Sequence, residues 1–508
     1  MPDIVLTTLN ARYIHSAFGL RYLKANMAGL APTTHIEEFV IDSRPIDIVE
    51  RLVDLKPRII GVGVYIWNAH QSAELVALLK RIAPHITIVL GGPEVSYEWD
   101  RQAMIEDADY VVTGAADKTF YHLCRQLLNQ QPPRQKIVHS HPPALSEINL
   151  PYTLYSDEDI AHRVIYVEAS RGCPFKCEFC LSALDKTARP FDIDVFLAEM
   201  DTLFQRGARH FKFVDRTFNL NTEIGVRILS FFLERMNPDL FVHFEVIPDR
   251  LPEKLKAAIA RFPPGSLQFE IGIQSFNPQV QALISRRQDN TQSKANLKWL
   301  REHSGAHLHT DLIAGLPGED LISFARGFNE LVALNPHEIQ VGILKRLRGT
   351  PIIRHTDAYD MRFNPYPPYN ILSTRDMDFH TLQRINRFAR YWDMIANSGR
   401  FTSTTPLLLA DSPFERFMAL SDWLYRTTGQ THKIALKRLF QLLYRGLTEQ
   451  LGESAQNANA MLQRDYAQSG SKGALPFPQP LPGDANVGPA KTAPTRFKTA
   501  SRQTRHLG

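Results

Sequence analysis

Three of the four cysteines in the chain, Cys173, Cys177 and Cys180, fall within eight residues. Thiolates bind zinc and iron–sulfur clusters. With three and then two residues between them, these three can reach three irons of a 4Fe-4S cubane and leave the fourth without a protein ligand. Four thiolates are the usual complement, so an open iron is a place for a small molecule to bind. The same residues allow two other readings: a zinc knuckle completed by a histidine, or a ferredoxin-type cluster completed by Cys124. Zinc sites favour paired C-x2-C spacing, and Cys124 stands far upstream beside His122 on an expected helix.

Other polar residues fall where ligands are met. Asp215, in Phe213-Val214-Asp215-Arg216-Thr217-Phe218-Asn219, sits at an expected strand end, where it either meets a ligand or caps a helix. In Glu270-Ile271-Gly272-Ile273-Gln274-Ser275, Glu270 and Gln274 share one strand face, and a carboxylate turned inward needs partners. His307, His309 and Asp311 also share a face, and interior hydrogen bonds are expected for the two histidines. Gly315 and Gly318 then form a turn that lets a ligand approach the main chain. Upstream, Gly61-Val62-Gly63-Val64-Tyr65 and Gly91-Gly92-Pro93-Glu94 mark strand ends of the kind that bind ligands in doubly wound sheets.

Positioning these residues takes several domains, and 508 residues suffice for about three. An apolar fraction of 44% with 22% charged residues is that of a globular chain. No apolar run approaches the roughly 18 residues of a membrane span, and no basic n-region precedes an apolar segment, so a cytoplasmic, reducing setting is expected. A net charge of +5 is small for this length and argues against an extended nucleic-acid surface.

Over residues 1–135, apolar runs at Ile4–Leu9, His35–Ile41, Ile59–Tyr65, Ile86–Leu90 and Tyr110–Thr113 alternate with helical periodicity at Pro45–Leu55 and Ser72–Ile82. That pattern predicts an α/β, doubly wound, flavodoxin- or Rossmann-like domain. Residues 136–160 read as a proline-rich linker. Across 161–372, strands at Val164–Ala169, His210–Val214, Phe241–Ile247, Leu267–Ile273, His307–Ile313 and Glu338–Leu344 predict a partial (β/α)6 barrel, whose sites lie at the carboxyl ends of its strands. Residues 373–466 read as helical and 467–508 as a disordered tail.

The stretch Arg171-Gly172-Cys173-Pro174-Phe175-Lys176-Cys177-Glu178-Phe179-Cys180 resembles the CxxxCxxC signature of the radical S-adenosylmethionine (SAM) superfamily, and the resemblance extends from about Val164 to Thr350. It implies a 4Fe-4S cluster on the three cysteines, SAM chelating the open iron, and reductive cleavage to a 5'-deoxyadenosyl radical. By the same resemblance Phe179 packs beside cluster and adenine, and Asp215 meets the SAM amino group, although the usual Gly-Gly-Glu is absent. Glu270, Gln274 and Ser275 match the fourth-strand SAM motif of the elongator- and methylthiotransferase-like branch. The segment from Asp311 through Gly315 matches the fifth-strand motif along the adenine. A low-potential donor such as a flavodoxin or ferredoxin is implied as partner.

A flavodoxin-like domain before such a barrel resembles the cobalamin-dependent subclass, which implies cobalamin contacts at Tyr65, Gly91, Gly92 and Glu94 and methyl transfer as a possible reaction. Two departures stand out. Where a histidine lower ligand would bring D-x-H-x-x-G, the chain reads Tyr13-Ile14-His15-Ser16-Ala17-Phe18-Gly19, and where relatives read GEGE it has Gly114-Ala115-Ala116-Asp117. The whole resembles a bacterial family of cobalamin-binding-domain radical SAM proteins with a helical C-terminal domain of unassigned function, partly through Leu9-Asn10-Ala11-Arg12-Tyr13-Ile14-His15-Ser16. Two alternatives remain: cobalamin-independent modification of RNA or protein, with Lys491, Arg496, Lys498, Arg502 and Arg505 of the tail on phosphate, and a non-catalytic cobalamin or cluster sensor.

Overall fold

A computed structural model describes residues 1–469 and 502–506. The chain packs as two units. The first comprises Met1–Arg216, Lys345–Ile353 and Asn364–Asn370; the second comprises Thr217–Leu344, Arg354–Phe363 and the residues from Ile371 onward.

In the first unit, strands β1 (Ile4–Asn10), β2 (Thr34–Val40), β3 (Ile59–Gly63), β4 (Thr87–Gly91), β5 (Tyr110–Thr113) and β6 (Ile137–His139) form one parallel sheet in the order β2-β1-β3-β4-β5-β6. This is the doubly wound, flavodoxin-like α/β order. All seven residues of β1 are buried, as expected for a central strand covered on both faces. Its side chains alternate between two cores, with Val5 and Leu9 in one and Ile4 and Leu6 in the other. The buried Thr7 and Thr8 stay satisfied by donating to Glu37 O at 2.8 Å and Gly63 O at 2.6 Å. Pro45 opens the helix Pro45–Asp54, which buries Ile48, Val49 and Leu52.

Part of the 136–160 stretch is sheet, because β6 pairs in parallel with β5. Its three residues are too few to show periodicity between prolines. The same unit carries the strands Ile165–Val167 and His210–Phe213, paired in parallel.

In the second unit, Phe241–Val246, Leu267–Gln274, His307–Ala314 and Glu338–Ile343 are parallel neighbours in that order. The helices Glu253–Ile259, Asn290–His303 and Leu321–Ala333 follow the first three of these strands. All six strands expected between 161 and 372 are therefore present. Beyond them come the helices Phe379–Met394, Thr405–Leu409, Pro413–Thr428, Leu436–Arg445 and Ala455–Gln468. Phe328, Phe388, Trp392, Phe414 and Phe417 pack there largely edge to face. Among the described residues, no helix is long and apolar enough to cross a membrane.

Of the basic tail residues, Lys491, Arg496 and Lys498 lie outside the described residues. Arg502 pairs with Glu338 at 2.8 Å and Asp393 at 2.6 Å, so its guanidinium is committed to carboxylates.

Candidate active site

The cysteine loop leaves the strand Ile165–Val167 in the first unit. Ser170 and Arg171 pair antiparallel with Pro190 and Arg189, and Cys173 N–H donates to Asp185 O at 3.0 Å. Cys180 N–H turns back to Cys177 O at 3.1 Å, and Ile352 N–H reaches Glu178 O at 3.0 Å. The loop is thus pinned at its base, its middle and its end. Cys173 and Cys177 are buried, Cys180 and Phe179 are half-buried, and none of the thiols is in a disulfide. Burial pushes the Cys173 thiol up, and the neighbouring Cys180 and Cys177 add to the rise. Among the described residues, no three His, Cys, Asp or Glu side chains gather as the ligand set of one metal ion. A cubane asks for something different, with each thiolate on its own iron. Cys124 is buried in the helix Thr119–Leu128 with its thiol pushed up to about 12 by burial.

Asp215 lies behind this loop, 3% exposed, accepting from Ala169 N–H at 3.0 Å and from Ser170 Oγ–H at 2.6 Å. Burial raises its pKa to about 7 against the pull of those two donors. It caps no helix: Asn221 caps Thr222–Glu234 instead.

In the second unit, Glu270 Oε2 lies 3.2 Å from His243 Nε2 on the neighbouring strand. Gln274 sits at φ +70°, with its side-chain Oε1 buried and without a hydrogen-bond partner. A buried amide oxygen held so is suited to a ligand hydroxyl or amine. Ser275 Oγ–H donates to Glu319 Oε1 at 2.5 Å, joining the ends of the 267–274 and 307–314 strands. Burial lifts Glu319 to about 7. Asp311 Oδ1 lies 3.6 Å from His309 Nε2, and His307 pairs with Glu338 at 3.0 Å, the interior bond expected for it. Gly315 ends this strand in the left-handed region.

The first unit also holds a cavity of about 360 Å³ at the carboxyl ends of β3, β4 and β5. Tyr65, Gly91 and Gly92 line it, whereas Glu94 does not. Glu94 is taken instead by Arg348 Nε at 2.8 Å and by the Tyr369 hydroxyl. Trp67 stacks on Tyr65 with ring centroids 4.5 Å apart. His15 Nδ1 lies 2.7 Å from Tyr166 OH and is absent from the cavity wall. Tyr22, Asp117, Glu168 and Arg171 line the cavity too; in the sequence only Asp117, in the Gly114–Asp117 segment, and Arg171, beside Cys173, stood near a motif.

The B12 binding domain model matches residues 4–124, and the radical SAM superfamily model matches residues 167–326. The chain carries a B12-binding domain and a radical SAM domain. Residues 357–480 match a family described as Protein of unknown function (DUF4080). The radical SAM match takes in the three cysteines, Asp215 and the Glu270–Ser275 segment. An uncharacterized methyltransferase of Pyrococcus horikoshii, PH0819, is 25% identical over 327 residues, which is 59% of this chain and 70% of that protein. The cobalamin-dependent radical SAM methyltransferase TokK of Streptomyces tokunonensis is 23% identical over 355 residues, covering 58% of this chain and 49% of TokK. The match thus spans about half of TokK. Among solved structures, the radical SAM methyltransferase TsrM of Kitasatospora setae, with cobalamin and a 4Fe-4S cluster bound, superposes with a TM-score of 0.59. That likeness covers 93% of this chain and all of TsrM at 15% identity, so it speaks for the fold.

Proposed function

We propose that the protein is a radical SAM enzyme that holds a 4Fe-4S cluster on Cys173, Cys177 and Cys180, cleaves SAM reductively, and transfers a methyl group with the help of cobalamin. The observation that carries this reading is the set of three cysteines, none in a disulfide, on a pinned loop at a strand's carboxyl end, in a chain that also has a B12-binding domain. When bound, the cluster and SAM supply the 5'-deoxyadenosyl radical and cobalamin supplies methyl-carrying capacity.

The protein's own residues bind and orient. Burial of Cys173 and Cys177 keeps water from two of the thiolates. Asp215, poised near pH 7, accepts the SAM amino group and at the same time ties the strand leading into the loop. Glu270, Gln274, Ser275, Asp311 and Gly315 take the rest of SAM. Ser275 acts there together with Glu319. Tyr65, Gly91 and Gly92 receive part of the corrinoid in the cavity of about 360 Å³ that they help to line. Because Glu94 is held by Arg348, its part is to brace the Gly91–Gly92 turn. Cytoplasmic placement and a flavodoxin or ferredoxin as donor go with this chemistry.

Anaerobic reconstitution tests the proposal. Iron, sulfide and a cluster EPR signal should appear, with 5'-deoxyadenosine formed from SAM under strong reductant. A Cys177→Ala protein that still cleaves SAM would refute the assignment. Mass spectrometry of cofactors copurified without oxygen tests for cobalamin directly.

A further inference from the structure

Arg171 belongs to two places at once. Its backbone is the last paired residue before the cysteine loop, bridged to Arg189 and separated from Cys173 only by Gly172. Its guanidinium forms part of the wall of the first-unit cavity. There Nε donates to Glu168 Oε1 at 2.7 Å and Nη1 to Asp117 Oδ2 at 3.0 Å, while the group lies 4.4 Å above the Tyr22 ring. The side chains are largely shielded, at 18% exposure for Arg171, 8% for Asp117 and 10% for Glu168. Two buried carboxylates depend on one cation, so the guanidinium is not free to relax independently of either. A planar fork can serve both acids at once, whereas a lysine ammonium is a point charge that would favour one.

Asp117 lies in the turn after β5 that helps wall the cavity, and Glu168 lies on the strand side that leads into the cysteines. A ligand entering the cavity must therefore meet an ion triad that is two residues from Cys173. We propose that Arg171 is a positioning residue that couples corrinoid binding in the cavity to the setting of the cysteine loop. The inference rests on the cobalamin reading above. Coupling of this kind is reciprocal: a cluster on the loop changes corrinoid affinity by the factor that corrinoid changes the loop. No residue of the triad need touch the iron or the corrin metal.

Hydroxocobalamin titrations followed by visible absorbance, on cluster-loaded and cluster-free protein, measure the coupling. Loading should tighten binding about tenfold in the wild-type chain, within the usual range for linked sites. Hydroxocobalamin should also alter the EPR line shape of the reduced cluster. Arg171→Met should retain its iron and lose both responses, and Arg171→Lys should restore them in part. Should Arg171→Met fold or load poorly, Asp117→Asn keeps the Glu168–Arg171 pair, removes the charge from the other arm of the triad, and should lose the responses equally. A full tenfold effect in Arg171→Met or Asp117→Asn overturns the proposal, as does wild-type protein that binds hydroxocobalamin equally with and without cluster. Wild-type protein that carries a cluster and binds no hydroxocobalamin overturns the cobalamin reading and this coupling together.

Discussion

Arg348 Nε donates to Glu94 Oε1 at 2.8 Å, a bond between residues 254 positions apart in the chain. Glu94 follows the glycine turn that walls the cavity, and Arg348 belongs to the segment whose Ile352 N–H reaches the cysteine loop at Glu178. Four residues on, Glu98 accepts from both Arg346 nitrogens at 3.0 Å. Glu94 is only 4% exposed, and its loss takes from Arg348 the nearer of two carboxylates, leaving Glu98 at 3.5 Å. Glu94→Ala should destabilise the protein by about 2 kcal/mol, the typical cost of losing charge-assisted hydrogen bonds at a buried carboxylate. Thermal or urea unfolding checks this, and a change within about 0.5 kcal/mol, as for an ordinary surface site, would contradict it.

Asp215 makes stability depend on pH. Its pKa in the folded chain is about 7 because burial penalises the carboxylate, against an ordinary 3.8. Between those values the unfolded chain has released the proton and the folded chain still holds it. Stability of the ligand-free protein therefore falls as pH rises through this window. Asp215→Asn cannot titrate, so wild type should lose about 2 kcal/mol relative to the variant between pH 5 and pH 7. Parallel urea midpoints at the two pH values would show the effect absent.

The strands were legible wherever apolar runs were long. Ile4–Asn10 and Leu267–Gln274 stand within one residue of their expected ends, the first marked by Ile4, Val5, Leu6 and Leu9 and the second by apolar residues at every other position. The cysteine loop was legible because its three thiols lie within eight residues. Arg171 and Arg348 were not recognisable as more than surface cations, because their partners Asp117 and Glu94 are 54 and 254 residues away. Pairing over such distances leaves no periodicity or spacing to read. Asp215 was placed correctly at a strand end, but its bonds to Ala169 and Ser170 arise from neighbouring strands, which only the sheet brings side by side.

Gly172 is required by the turn into the loop. Its φ is +89°, and a Cβ there would stand 2.1 Å from Thr187 O, a backbone atom that cannot swing away. Gly172→Ala must shift either Cys173 or the Asp185–Thr187 turn that anchors it, at a cost of about 1–3 kcal/mol in local strain. Reconstituted variant should hold clearly less iron than wild type and form correspondingly less 5'-deoxyadenosine. Full iron content with unchanged melting would show that the loop tolerates the shift.

Gly92 poses the same steric problem on the cavity side. At φ +106° an added Cβ would sit 2.5 Å from Val64 O and 3.1 Å from Val64 N, in the connection that follows β3. The turn must move, and with it the part of the wall beside Tyr65. Gly91→Ala is the comparison, since its Cβ would find its nearest neighbour, Val112 O, at 3.8 Å, an ordinary contact. Gly92→Ala should weaken hydroxocobalamin binding by about tenfold or more, equivalent to about 1.4 kcal/mol, with Gly91→Ala affected less. Because the cysteine loop is built from other residues, SAM cleavage should survive in Gly92→Ala while methyl transfer declines. Absorbance titration and 5'-deoxyadenosine analysis on the same preparation separate the two effects. Equal affinities in wild type and both variants would mean that the corrinoid does not rest on this turn.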